Sequence, residues 1–105
     1  MNKDLSNLFD LTDKVAIVTG GTGIQGKRIT RGLAAHGAHV VVVDLDAETA
    51  KVQASEISAT YGVRAFGLAC NVAEKFDVET MVSAVVADFG KIDILHNNAA
   101  SKSND

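Results

Sequence analysis

The sequence holds no proline and no tryptophan, and only one cysteine and one tyrosine, among its 105 residues. The missing proline and tryptophan exclude nothing. The single cysteine, Cys70, leaves no internal disulfide framework and fits a reducing, cytoplasmic setting. No apolar run approaches the ~18 residues of a membrane span; the longest, around Val40–Val43, is strand-sized. Residues 1–10 carry Lys3, Asp4 and Asp10 and lack the apolar centre of a secretory signal. Charge of one sign is never concentrated. The net value is −3 with signs interspersed, so neither nucleic acid nor an anionic membrane finds a basic footprint. His36, His39 and His96 fall in separate predicted elements without ligand spacing, and no metal site is expected.

What is present describes one small folded domain. Hydrophobic residues make up 47% and charged residues 22%, the balance of a folded soluble protein rather than a disordered chain. No repeat or linker interrupts it. The expected division is a polar leader over residues 1–13, a domain over 14–100 and an interrupted loop over 101–105.

Short apolar runs alternate with amphipathic ones. Lys14–Thr19, His39–Asp44, Val63–Ala69 and Ile92–His96 read as buried strands. Between them, residues from about Ile24 to His36, Ala47 to Tyr61 and Ala73 to Phe89 carry apolar side chains at helical intervals. Gly37, Gly62 and Gly90 stand where those helices must stop, and Asp46 is the expected N-cap of the second. The order βαβαβαβ predicts a parallel, doubly wound sheet of the Rossmann kind, with right-handed crossovers.

The first predicted strand runs directly into Thr19-Gly20-Gly21-Thr22-Gly23-Ile24-Gln25-Gly26 and a helix. Gly21, Gly23 and Gly26 form G-x-G-x-x-G. A pyrophosphate must approach backbone N–H groups at a helix N-terminus, where a Cβ would block it, and Gly26 allows close packing of the helix. The strand–turn–helix context gives this short motif its weight. Asp44 ends the second predicted strand, 18 residues beyond Gly26. A carboxylate there can accept hydrogen bonds from both hydroxyls of an adenosine ribose. A 2′-phosphate at ~4 Å would be repelled by several kcal/mol at an effective dielectric near 20. Leu45 follows, not an arginine that could neutralise that phosphate, so NAD is expected rather than NADP.

These residues together resemble the N-terminal, cofactor-binding half of the short-chain dehydrogenases/reductases. The resemblance rests on Lys14–Gly26, the 11-residue step from Gly26 to Gly37, Asp44, Cys70-Asn71-Val72 and Gly90–Ala100. It implies that Gly20, Thr22, Gly23, Ile24 and Gly26 border the pyrophosphate, and that Asp44 and Leu45 lie at the adenine ribose. It further implies that Asn71 and Val72 flank the adenine and that Asn97 ties the central strands together. Asn98, Ala99 and Ala100 would run beside the nicotinamide-side ribose. Three departures stand out. The glycines read T-G-x-x-G-x-x-G instead of the short branch's T-G-x-x-x-G-x-G, with Ile24 at a glycine position. Asn71 replaces the usual aspartate, and Ala100 the glycine of N-N-A-G. The glycine spacing and Ala100 are similar to the extended branch of sugar-nucleotide epimerases and dehydratases.

The family's chemistry needs a serine and a Tyr-x-x-x-Lys pair. The lysine lowers the tyrosine pKa so that it exchanges a proton with the substrate oxygen while hydride moves at the nicotinamide. Here the only tyrosine, Tyr61, is followed four places on by Ala65. No catalytic residue is therefore assigned, and these 105 residues alone are not expected to turn over. The expected partners are NAD(H), a small secondary alcohol or ketone in the complete protein, and a second copy of the chain. With the sheet ending after its fourth strand, Ile92–His96 would present an open apolar edge. The readings left open are the NAD-binding part of an alcohol/ketone oxidoreductase, a fragment of an extended-branch sugar-nucleotide enzyme, and a non-catalytic NAD-binding or interaction module.

Overall fold

The computed structural model describes residues 9–98. Its elements are β1 (Val15–Thr19), α1 (Ile24–Ala35), β2 (His39–Asp44), α2 (Ala47–Tyr61), β3 (Ala65–Ala69), α3 (Lys75–Phe89) and β4 (Ile94–Asn97). All the strands are parallel and lie in the order β3-β2-β1-β4. This is the doubly wound sheet that the sequence predicts.

Burial explains why the strands read as they do. β1 is buried along its whole length and β2 at its four valines, because both strands are covered on two faces. On one face, Ala16, Val40 and Val42 meet Ala34 of α1 and Ala50, Ala54 and Ile57 of α2. On the other, Val15, Ile17, Val41 and Val43 meet Met81 and Val85 of α3. Successive strand residues thus feed alternate cores. β3 and β4, on the outside of the sheet, are only partly covered.

Element ends differ from the sequence expectation where side chains claim backbone groups. α1 stops at Ala35, and His36 is its C-cap. β3 begins at Ala65 because the Arg64 amide donates to His39 Nδ1 instead of extending the ladder. α3 begins at Lys75: Asn71 Oδ1 accepts from the Ala73 amide and the Asn71 carbonyl from the Glu74 amide, which folds residues 71–74 into a turn. β4 begins at Ile94, since Asp93 reaches the Val15 amide with its side chain, at 2.9 Å. By contrast, α2 matches at both ends. Asp46 Oδ1 accepts from the Glu48 and Thr49 amides, and Gly62 closes the helix in the left-handed region at φ 72°.

The described end of the expected leader is attached to the domain. The Leu11 amide donates to the His36 carbonyl at 2.8 Å, and the Phe9 ring lies edge-on to His36. Among the described residues no helix is long and apolar enough to cross a membrane.

Candidate functional site

The parallel sheet delivers the C-terminal ends of all its strands to one edge. The turn after β1 carries Gly20, Thr22 and Gly23 and opens into Ile24 and Gly26 of α1; β2 ends in Asp44, followed by Leu45. Asn71 and Val72 follow β3, and Asn98 follows β4. Ala99 and Ala100 lie outside the described residues. From β1 the sheet grows one way to β2 and β3 and the other way to β4, so the chain changes direction beside β1. Open parallel sheets bind ligands at such switch points.

Gly20 starts the turn at φ 63°, a conformation that side chains resist. A Cβ on Gly26 would collide with the Gly20 carbonyl oxygen and lie 2.6 Å from Gly21 Cα, so this glycine lets α1 press against the turn. Gly23 is different. Its backbone is ordinary extended chain, and a Cβ there would meet only the Gly20 carbonyl oxygen, at 3.7 Å. The space beside Gly23 is open. No side chain caps α1, and its first turn holds no acid. The amides of that turn therefore present donors and a positive dipole end, the arrangement that holds a phosphate. Ile24 is 76% exposed and Leu45 73%, apolar flanks for a ligand with apolar rings.

Asp44 is fixed by three hydrogen bonds. Its Oδ2 accepts from Thr22 Oγ1 at 2.6 Å and from the Thr22 amide at 3.1 Å; its Oδ1 accepts from the Leu45 amide at 2.8 Å. Partial burial pushes the carboxyl pKa up and neighbouring Asp46 adds to that, but the three donors outweigh them and hold it below the ordinary carboxylate value. Asp44 is thus ionised at neutral pH. It does not cap α2; Asp46 does that.

The remaining turn groups are held as tightly. Gly21 donates its amide to the Val43 carbonyl at 3.0 Å, and its carbonyl accepts from Gln53 Nε2 at 2.7 Å. Thr19 Oγ1 donates to Asn97 Oδ1 at 2.8 Å and accepts from the Asn98 amide at 3.0 Å, which locks the end of β1 to that of β4. Asn98 Nδ2 reaches the Gly20 carbonyl at 3.3 Å. Asn71, whose side-chain Oδ1 accepts from the Ala73 amide, stays exposed. Next to it, Cys70 is buried, and burial followed by the nearby Asp77 charge raises its thiol pKa, as suits a small apolar core residue.

Sequence reasoning overlooked Gln53. It lies on α2, 3% exposed, three positions after Ala50 on the stripe that faces the sheet. A glutamine on an apolar stripe was the signal available. Among the described residues no cluster of three or more His, Cys, Asp or Glu is placed to hold a metal.

Comparison with known proteins agrees with this geometry. The short chain dehydrogenase family profile matches residues 14–105. D-Threitol dehydrogenase of Mycolicibacterium smegmatis is 42% identical over 91 residues, which cover 87% of this chain and 35% of that protein. NADP-dependent mannitol dehydrogenase of Alternaria alternata is 39% identical over 99 residues, covering 91% of this chain and 37% of that protein. L-Sorbose reductase from Gluconobacter frateurii, solved with NADPH and L-sorbose, superposes with a TM-score of 0.86 at 35% identity, over 91% of this chain and 36% of that one. NAD+-bound xylitol dehydrogenase gives 0.82 at 34%, over 88% and 35%. The chain thus spans little more than a third of the length of these relatives. Strand order, glycine turn and a family match over most of its length agree: this chain belongs to the short-chain dehydrogenases.

Proposed function

We propose that this chain is the dinucleotide-binding part of an oxidoreductase that transfers hydride between NAD(H) and a small secondary alcohol or ketone. One observation carries the reading. An ionised carboxylate, Asp44, sits at the end of β2 across the glycine turn from an uncapped helix N-terminus that lacks acids. The α1 amides suit the pyrophosphate, Asp44 the adenine ribose, and the exposed Ile24, Leu45 and Val72 the apolar faces of the dinucleotide. Asn71 and Asn98 border its two ends.

NAD is favoured over NADP because a 2′-phosphate would face Asp44, with Leu45 in place of a neutralising arginine. At ~4 Å and an effective dielectric near 20 each pair of unit charges repels by about 4 kcal/mol before solvent screening. Relatives of both kinds occur, one named as NADP-dependent and one solved with NAD+. The choice therefore rests on Asp44 and not on family membership.

The bound nicotinamide supplies the hydride acceptor or donor. The residues of this chain bind and orient it; the groups that exchange a proton with the substrate oxygen are assigned to other parts of the complete protein. Polyol and sugar oxidoreductases among the relatives point to a hydroxylated small molecule as substrate, in preference to a sugar nucleotide. The buried thiol of Cys70 suits a reducing cytoplasm, and the exposed edge of β4 suits self-association.

The test is a titration of NADH and NADPH followed by their own emission, since the chain has no tryptophan to interfere. NADH binding at least about tenfold tighter than NADPH, a difference of 1.4 kcal/mol, is expected. Equal affinities overturn the assignment of Asp44. No binding of either, with fold intact, overturns the dinucleotide reading itself.

A further inference from the structure

Gln53 is a buried polar side chain, 3% exposed, that the reading above leaves unused, and its bonding is asymmetric. Nε2 donates to the Gly21 carbonyl at 2.7 Å and to Thr30 Oγ1 at 3.1 Å, while Oε1, also buried, has no partner among the described residues. The amide orientation is compelled, because a backbone carbonyl can only accept. A buried acceptor without a partner costs stability. Methionine or leucine on the stripe formed by Ala50, Ala54 and Ile57 would remove that orphan but leave the buried Gly21 carbonyl without its donor. The glutamine thus carries one unpartnered acceptor of its own while it holds the Gly21 carbonyl.

The bond to Gly21 has a direct consequence across one peptide unit. In a planar trans peptide the C=O and N–H point in opposite directions. The unit joining Gly21 and Thr22 has its C=O on Gln53 Nε2 and its N–H on Asp44 Oδ2, at 3.1 Å. It is clamped between α2 and the end of β2. Rotation of this unit by half a turn would remove an amide from Asp44 and present a carbonyl oxygen to the carboxylate. Gly21, without a side chain, resists that rotation little by itself. The Gly21 amide is fixed separately on the Val43 carbonyl, and among the described residues Gln53 alone holds the Gly21 carbonyl.

We infer that Gln53 is a positioning residue that fixes the orientation of the Gly21–Thr22 peptide and, through it, the selectivity of Asp44 for a dinucleotide without a 2′-phosphate. The inference rests on the reading of this edge as the dinucleotide site. Thr30 serves the same clamp: its hydroxyl donates to the Lys27 carbonyl and so offers Gln53 only a lone pair, which fixes the second hydrogen of Nε2. α1, α2 and β2 are in this way joined at one peptide.

The test uses Gln53→Met, close in volume and unable to donate. Thermal unfolding, the carbonyl-carbon NMR titration of Asp44 without dinucleotide, and NADH and NADPH affinities are measured on it and on the unmodified protein. A modestly lowered melting temperature, an Asp44 titration moved upward, NADH affinity lowered about tenfold and a smaller preference over NADPH are expected, as for loss of one hydrogen bond of roughly 1.4 kcal/mol. An Asp44 titration that does not move overturns the inference, whatever the dinucleotide does. If neither protein binds dinucleotide but the titration moves, the site reading fails and the clamp stands. Should Gln53→Met not fold, the scalar coupling across the hydrogen bond from the Gln53 side-chain nitrogen to the Gly21 carbonyl carbon decides in the unmodified protein. Its presence supports the clamp and its absence overturns it.

Discussion

Thr22 gives both its hydroxyl and its amide to the same oxygen of Asp44, across 22 positions of sequence. With the Leu45 amide on the other oxygen, three of the roughly four acceptor sites of that carboxylate are engaged. Both hydroxyls of a ribose can be accepted only if one of these donors leaves, and the Thr22 hydroxyl is the one free to rotate. Thr22→Val removes it and keeps the amide. The Asp44 pKa is expected to rise toward the ordinary value, with NADH affinity equal or tighter, measured by NMR titration and by NADH emission. A tenfold loss of affinity would show instead that the hydroxyl holds Asp44 in its binding position.

Two glycines of the turn separate fold from binding. Gly26→Ala places a Cβ on the Gly20 carbonyl oxygen and 2.6 Å from Gly21 Cα, backbone atoms that cannot yield cheaply. It is expected to cost about 1–3 kcal/mol of stability, read from a urea melt. Gly23→Val places a Cβ that meets nothing closer than the Gly20 carbonyl oxygen, in a conformation that valine adopts. Its stability is expected to stay within roughly 0.5 kcal/mol of the unmodified chain while NADH binding is lost. Unchanged binding would move the pyrophosphate away from α1.

The same contrast explains what the sequence disclosed. The valine run of β2, Asp46 and Gly62 each act locally, so the limits of β2 and α2 are legible from neighbours in the chain. Gly26 was legible for a related reason, as strand, turn and helix follow one another without a gap. The starts of β3, α3 and β4 were not, because His39, Asn71 and Asp93 draw off backbone groups that periodicity alone assigns to the elements. Gln53 was legible only as an anomaly on its stripe. Its partner Gly21 is 32 positions away, and no local pattern links them.

Asp93 ties the start of β1 to the segment before β4. Its Oδ2 accepts from the Val15 amide at 2.9 Å and lies 3.2 Å from Lys91 Nζ, and the Asp93 amide donates to the Val15 carbonyl. The Val15 amide above all holds its pKa below the ordinary 3.8, outweighing the opposing effect of burial with lesser help from Lys91 and the Lys14 charge. A lowered folded pKa means that its contribution is complete above the unfolded value and is lost as pH falls through the folded one. Asp44 is lowered in the same sense. Stability is therefore expected to decline below about pH 4. Asp93→Asn should lower the melting temperature at pH 7 and lower it less at pH 2, as acid protonates the aspartate. An equal difference at both values would assign the effect to packing.

Leu95 lies on β4, at the edge of the sheet among the described residues, and is 64% exposed. Its side chain borders a hollow between the sheet and α3, near Val82, Met81 and Val72. Val82 and Val86 continue the apolar surface along α3. An unpaired strand with apolar side chains is a template for another strand, and a lysine on such an edge opposes pairing. The chain is expected to self-associate as its concentration rises, and Leu95→Lys to suppress this while changing stability by less than roughly 0.5 kcal/mol, since the side chain is mostly in water already. Sedimentation velocity over a concentration series reads the association, and a thermal melt at low concentration reads the stability. A chain that stays monomeric throughout would show that the edge of β4 does not pair with a second copy. A large loss of stability in Leu95→Lys would show that the hollow, not the edge, is what Leu95 serves.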